Sequence, residues 1–170
     1  MAALTGEQLA HNIREGINAL KEVCAGVDEK KASRAPEGRW SPREILSHLL
    51  GPEGEGHLSL LQAFLDHETP RLDMEAENPF FTGRRAAMTF TQLLERVENE
   101  YNRIAAFAAG LSAAQLDRRA HVPMLKGSGF GEYPTLEAFI GLLGGMEGSH
   151  LHFHTDHLRK ILRELSGAEK

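Results

Sequence analysis

The chain has 170 residues, enough for one domain with a hydrophobic core, and its 41% hydrophobic and 25% charged residues are typical of a globular protein. The formal net charge of -5 argues against a nucleic-acid-binding protein, because phosphate neutralisation needs clustered positive charge. Neither a signal-peptide pattern nor an apolar stretch approaching the roughly 20 residues of a membrane span is present. We therefore expect a single domain over residues 1–170, located in the cytoplasm, with no membrane or nucleic-acid partner.

The first two long helices are predicted from capping motifs followed by apolar residues at helical spacing. The first helix begins at Thr5, which opens a capping box, and ends near Gly26. The second begins at Ser41, where a second capping box is followed by proline at the first helical position. Pro52 and three glycines within residues 51–56 predict a kink or a broken turn in this helix, which ends near Glu68.

The third helix is predicted to begin near Thr89 or Thr91 and to end near Gly110, after an irregular segment over residues 69–88. A further capping box at Ser112 predicts a short helix after it.

The last helix is predicted to begin with Thr135 as its cap and to continue through the histidines to Leu165. Glycine destabilises a helix by roughly 1 kcal/mol relative to alanine. The number of glycines here therefore indicates close packing of another helix, or room for a bound group; they are Gly141, Gly144, Gly145 and Gly148. Four long helices with long connections and few strand signals predict an all-α fold, a four-helix bundle with long crossover connections.

The histidines are the first feature that is not generic. The chain has nine, and four of them lie within residues 150–157. His150, His154 and His157 are spaced so that they form one stripe on a helix, whereas His152 points to another side. Imidazole nitrogens bind zinc, nickel, copper or iron, and a further ligand must then come from another helix. From spacing alone, metal binding and simple hydrogen bonding within the bundle remain equally open.

Two short motifs resemble those of the DinB/YfiT-like superfamily. Residues 40–49, with the sequence WSPREILSHL, resemble its second-helix signature, and residues 157–161, with the sequence HLRKI, resemble its last-helix signature. The order of elements across nearly the whole chain is also similar. The resemblance implies a four-helix bundle in which three histidines hold one divalent metal ion, most often nickel or zinc.

The resemblance can be carried over residue by residue to a ligand set. His48 matches the first ligand and His157 matches the final one. The middle ligand is expected four residues before the final one, where this chain has Phe153, which cannot bind a metal. His154 is the preferred substitute and His150 the alternate. The other interpretation is a degenerate site that binds no metal.

The resemblance also implies an activity. Members of the family look like metal-dependent transferases that join a low-molecular-weight thiol to a small electrophilic substrate, although others are hydrolases or isomerases. In that chemistry the metal holds the thiol as thiolate, so the thiol comes from a cosubstrate. A metal-free bundle that binds a ligand, or serves as a dimerisation module, is the alternative function. The sequence leaves open whether the chain forms a homodimer.

Other polar residues have both a structural and a functional interpretation. Glu53, Glu55 and His57 follow His48 and include a candidate acid–base group, but a solvated kink is the favoured interpretation. The Arg84–Arg85 pair is suited to recognising a carboxylate or phosphate, although a solvent-facing pair is favoured.

Two further residues are assigned structural roles. Trp40 is predicted to anchor the second helix against the bundle. Cys24, the only cysteine, is predicted to be a buried structural thiol.

Overall fold

The computed structural model describes residues 2–54 and 56–167. Over these residues the chain forms nine α-helices: α1 (Gly6–Cys24), α2 (Glu29–Ala32), α3 (Pro42–Leu50), α4 (Gly56–Asp66), α5 (Gly83–Ala86), α6 (Phe90–Ala109), α7 (Ala113–Leu116), α8 (Leu136–Ile140) and α9 (His150–Gly167). A 3₁₀ turn (Pro123–Leu125) and a π-helical turn (Gly141–Gly145) complete the order. Within the described ranges, β structure is limited to two isolated bridges. The predicted all-α class is confirmed.

The predicted helix starts follow the capping residues closely. The hydroxyl groups of Thr5, Ser41, Thr89 and Ser112 each accept a hydrogen bond from the backbone amide three residues later, and each motif is a complete capping box. The start of α6 is therefore at Thr89 and not at Thr91. None of the helices in the described part of the chain is sufficiently long and apolar to cross a bilayer.

Two helices of the bundle share the same two neighbours. Helix α1 packs against α6 and α9, and α3 packs against α6 and α9 as well, so α1 and α3 occupy diagonal corners. Gly6 at the start of α1 lies against Ala108 near the end of α6, which makes these two helices antiparallel. His48 near the end of α3 contacts His150 at the start of α9, so this pair is also antiparallel.

The remaining pairs of neighbours are parallel. Gly16 and Val23 of α1 lie beside Leu151 and Leu162 of α9, in the same order along both helices. The directions of the four long helices are therefore up, down, down and up. Because consecutive parallel helices need a connection that returns along the bundle, residues 67–89 form the long crossover that was predicted.

The last helix is not continuous, and the prediction of one unbroken helix from Thr135 to Leu165 is wrong. After the π-helical turn, Met146 is extended and Gly148 has a φ of 73°, a left-handed conformation that favours glycine. The Asn12 side chain donates to the Gly145 carbonyl at 2.9 Å, which satisfies one acceptor at the break. The break makes His150 the first residue of α9.

The glycines before this break allow close helix packing, one of the two predicted reasons for them. A Cβ atom on Gly144 would lie 3.2 Å from the Tyr101 ring. One on Gly145 would lie 2.7 Å from a methyl carbon of Leu9 and 3.2 Å from the Ile140 carbonyl oxygen. At Gly145 the Leu9 side chain, or α1 itself, must move to admit a Cβ atom, and the Ile140 carbonyl must shift by a few tenths of an ångström.

Gly145→Ala should therefore lower the free energy of unfolding by about 1–3 kcal/mol, the usual cost of overpacking a core. Denaturant unfolding measures this change. Gly83→Ala is the matched control, because a Cβ atom there meets nothing within 4 Å. Equal stability of the two variants would contradict the tight packing of α1 on the π-helical turn.

Candidate metal centre

His48 is held in one orientation near the end of α3. Its side chain is only 5% exposed, and Nδ1 donates to the backbone carbonyl of Asn78 at 2.7 Å. A carbonyl oxygen can only accept a hydrogen bond, so the proton of the neutral ring lies on Nδ1. The Nε2 atom therefore carries the lone pair, which accepts a hydrogen bond from Nε2 of His150 at 2.8 Å. The same tautomer occurs in metal-binding histidines whose other nitrogen donates to a carbonyl.

Two histidines of α9 lie close to the imidazole ring of His48. His150 and His154 are one turn apart, and the three ring centroids are 4.6–4.8 Å from one another. The Nε2 atoms of His48 and His150 are 2.8 Å apart. One nitrogen from each of the three rings lies within 4.8 Å of the other two. The antiparallel packing of α3 and α9 thus brings together residues that are about a hundred positions apart in sequence.

The two α9 histidines lie in a poorly hydrated environment. Their Nδ1 atoms are buried and have no hydrogen-bond partner among the described residues, as is also true of His57 and His157. Burial, and then the neighbouring histidines, lower the pKa of both rings to about 3, so they are neutral near pH 7. Neutral imidazoles are good ligands for zinc and nickel, and a set of three leaves further positions open.

The other predicted site residues lie outside this group. His157 is half-buried, with its ring centroid 5.8 Å from that of His154. Phe153 is 64% exposed, and its ring lies perpendicular to that of His154. The resemblance implies two ligands four residues apart, at positions 153 and 157. His150 and His154 have this spacing, but they lie three positions earlier in the chain.

A family model described as the DinB superfamily matches residues 12–154. The chain belongs to the DinB superfamily. The matched segment contains His48, His150 and His154 and ends before His157. A search of the curated proteins finds no significant match.

Three solved structures share the DinB bundle fold with this chain. One is YfiT from Bacillus subtilis, described as a probable metal-dependent hydrolase with an unusual four-helix bundle topology. Its TM-score is 0.66 at 19% identity, over 96% of this chain and 87% of YfiT. An uncharacterised Clostridium difficile 630 protein has a TM-score of 0.65 at 14% identity, over 98% of both chains. A Streptococcus pneumoniae protein has a TM-score of 0.60 at 15% identity, over 98% of this chain and 93% of its own.

Aromatic rings surround the histidines of this DinB superfamily member. The Trp40 ring lies 4.9 Å from His48 and stacks on His154 at 6.4 Å. Phe80 stacks on His48 at 6.3 Å, with the two planes 6° apart. Trp40 therefore contacts the site itself as well as packing against the core. These apolar surfaces favour the neutral form of the imidazoles.

The kink residues take roles that the sequence analysis did not favour. His57 is buried, and its Nε2 donates to the Leu49 carbonyl at 2.8 Å, so the solvated-kink interpretation is wrong for this residue. Burial lowers its pKa. Glu53 lies 3.7 Å from Arg84, and Glu55 lies outside the described residues.

The paired arginines differ from each other, and Cys24 is a structural residue. Arg84 is exposed, but Arg85 is buried and hydrogen-bonded to backbone carbonyls, so the solvent-facing interpretation is wrong for Arg85. The Cys24 thiol is buried, and burial raises its pKa to about 12, as expected of a structural thiol.

Asn78 was missed by the sequence analysis. It acts on His48 through its backbone carbonyl, and every residue type has such a carbonyl. Only the position of the loop after the second helix shows its role.

Proposed function

We propose that this DinB superfamily member is a metal-dependent enzyme in which His48, His150 and His154 hold one divalent ion, with nickel and zinc as the leading metals. The observation that carries the proposal is the approach of two Nε2 atoms to 2.8 Å, with a third imidazole beside them and the first one oriented by a carbonyl. A hydrogen bond accounts for the contact between the first two rings, whereas the third imidazole beside them, from the same face of α9, supports a metal site.

The reaction that fits best is hydrolysis of a small-molecule substrate. When bound, a divalent ion supplies a Lewis acid that polarises a substrate oxygen and makes water or a thiol more acidic. YfiT, which shares the fold, is described as a probable metal-dependent hydrolase. His157 is the residue of this chain that we assign to proton transfer. It lies next to His154, and burial, together with Arg39 and Lys160, lowers its pKa so that the ring is neutral near pH 7.

Transfer of a low-molecular-weight thiol is the second candidate. Zinc hydrolases commonly place a glutamate beside the metal as a general base, and the group formed by the described residues consists of histidines. A thiol needs less help to lose its proton than water does. Cys24 is buried in the core, so the thiol would come from a cosubstrate.

Protein purified without a histidine tag, stripped with a chelator and titrated with nickel or zinc, should bind about one ion per chain. At a hundredfold excess over the dissociation constant, binding should stabilise the fold by about 2.7 kcal/mol, seen as a higher melting temperature. The loaded protein is then assayed on ester and amide panels, and on electrophiles with an added thiol, to separate hydrolysis from thiol transfer.

An unchanged melting temperature with either metal, in both the wild type and His48→Ala, would instead support the metal-free bundle that binds a ligand or dimerises.

A further inference from the structure

The orientation of His48 depends on a loop with no regular secondary structure. The Asn78 carbonyl that accepts from His48 lies at the start of this loop, over residues 78–82. Within it, the amide of Phe80 donates to the Asn78 side-chain oxygen at 2.7 Å. Phe80 itself has a φ of 49°, a left-handed conformation that is unfavourable for a bulky residue. Contacts from outside the loop must therefore hold it in place.

The guanidinium of Arg85 makes those contacts. Its Nη1 atom donates to the carbonyl of Phe80 at 3.2 Å, to that of Ser47 at 3.1 Å and to that of Gly51 at 2.6 Å. Ser47 also donates its hydroxyl to the Phe80 carbonyl at 3.0 Å. Arg85 is only 5% exposed. One buried cation thus joins the loop to the helix residue directly before His48.

Arginine suits this position for a physical reason. The last carbonyls of α3 lack partners within the helix, and they carry the negative end of its dipole. Gly51, the C-cap residue, has a φ of 72°, and its carbonyl accepts from Nη1 of Arg85. The contacts to the helix and the loop all come from Nη1, while Nε is buried with no partner among the described residues. A guanidinium is more weakly hydrated than an ammonium and its N–H groups have fixed directions, whereas the ammonium of lysine is a compact, strongly hydrated charge that costs more to bury.

We propose that Arg85 is a positioning residue of the metal centre. By holding Phe80 against Ser47, it keeps the Asn78 carbonyl on Nδ1 of His48 and so directs the Nε2 lone pair of His48 toward α9. The consequence for metal affinity rests on the proposed function. The consequence for the tautomer of His48 does not, because the carbonyl acts on the metal-free ring.

The test measures the His48 tautomer by ¹⁵N NMR of the metal-free full chain labelled at histidine, with nickel affinity measured by calorimetry. The wild type should show the Nδ1–H tautomer. Arg85→Lys should show a mixture of the two tautomers and a nickel affinity lower by about 10- to 100-fold, the usual cost of losing a residue that orients a ligand. Arg84→Lys is the matched control, since this exposed neighbour contacts Glu53 and not the loop.

A single Nδ1–H tautomer and unchanged nickel affinity in Arg85→Lys would overturn the proposal. If that variant fails to fold, Ser47→Ala replaces it, because it removes only the hydroxyl bonds to Phe80 and Arg85 and should shift the tautomer in the same direction. An unchanged tautomer in Ser47→Ala would then overturn it. If the wild type binds neither nickel nor zinc, the proposed function fails, while the tautomer comparison still decides the role of Arg85.

Discussion

His150→Ala should abolish tight binding of nickel and zinc, whereas His157→Ala should leave it nearly unchanged. His150 faces His48 with 2.8 Å between their Nε2 atoms, and His157 lies outside the group of three converging rings. Removing a ligand should reduce affinity by more than the roughly 10- to 100-fold that removal of an orienting partner costs. His48→Ala and His154→Ala should behave like His150→Ala. Calorimetric titration of the stripped proteins, with metal content after dialysis, measures the effect.

The His157→Ala variant is the matched control and also tests the role assigned to it. It removes a histidine from the same helix, so it controls for metal that a histidine outside the group binds incidentally. If His157 moves a proton, this variant binds metal but turns over slowly. If His157→Ala loses the ion and His150→Ala keeps it, the proposed ligand set is wrong. That result would support His157 as a ligand, as the last-helix motif implies.

Acidification should strongly destabilise the metal-free protein. The pKa of His150 and His154 is about 3 in the folded chain against an ordinary value of 6.5. Between these values the unfolded chain binds more protons, so the stability is full above pH 6.5 and is lost as the pH falls toward 3. Each ring contributes a slope of at most roughly 1.4 kcal/mol per pH unit, so the two together cost up to roughly 4 kcal/mol at pH 5. Denaturant unfolding at a series of pH values measures this loss.

The double variant His150→Gln, His154→Gln tests the origin of the pH dependence. It should lose most of the slope between pH 6.5 and pH 5, with a remainder from His48, His57 and His157, whose pKa values are also lowered by burial. In the wild type, added nickel or zinc should shift the loss of stability to lower pH, because the ion binds the neutral rings. An equally steep slope in the double variant would show that other groups control acid unfolding.

The helix starts were predictable because capping is local. Thr5, Ser41, Thr89 and Ser112 each satisfy a backbone amide three residues away, so the motif and its effect lie within one turn. The break in the last helix was not predictable in the same way. Glycine weakens a helix only modestly, and the left-handed Gly148 is accompanied by a bond from Asn12 to Gly145, which is remote in sequence.

The candidate site shows the same contrast between local and long-range effects. Helical spacing depends on neighbouring residues alone, so the sequence was enough to predict that His150, His154 and His157 share one face of a helix and that His48 lies on another helix. Which two of the three contact His48 depends on where α9 begins after the break and on its antiparallel packing against α3, and neither follows from local sequence.

The tertiary structure alone also revealed the partners that orient His48. The Asn78 carbonyl and the buried Arg85 reach it through a long crossover whose path is set by its packing against α3, because hydrogen bonds to backbone carbonyls leave no pattern in the sequence.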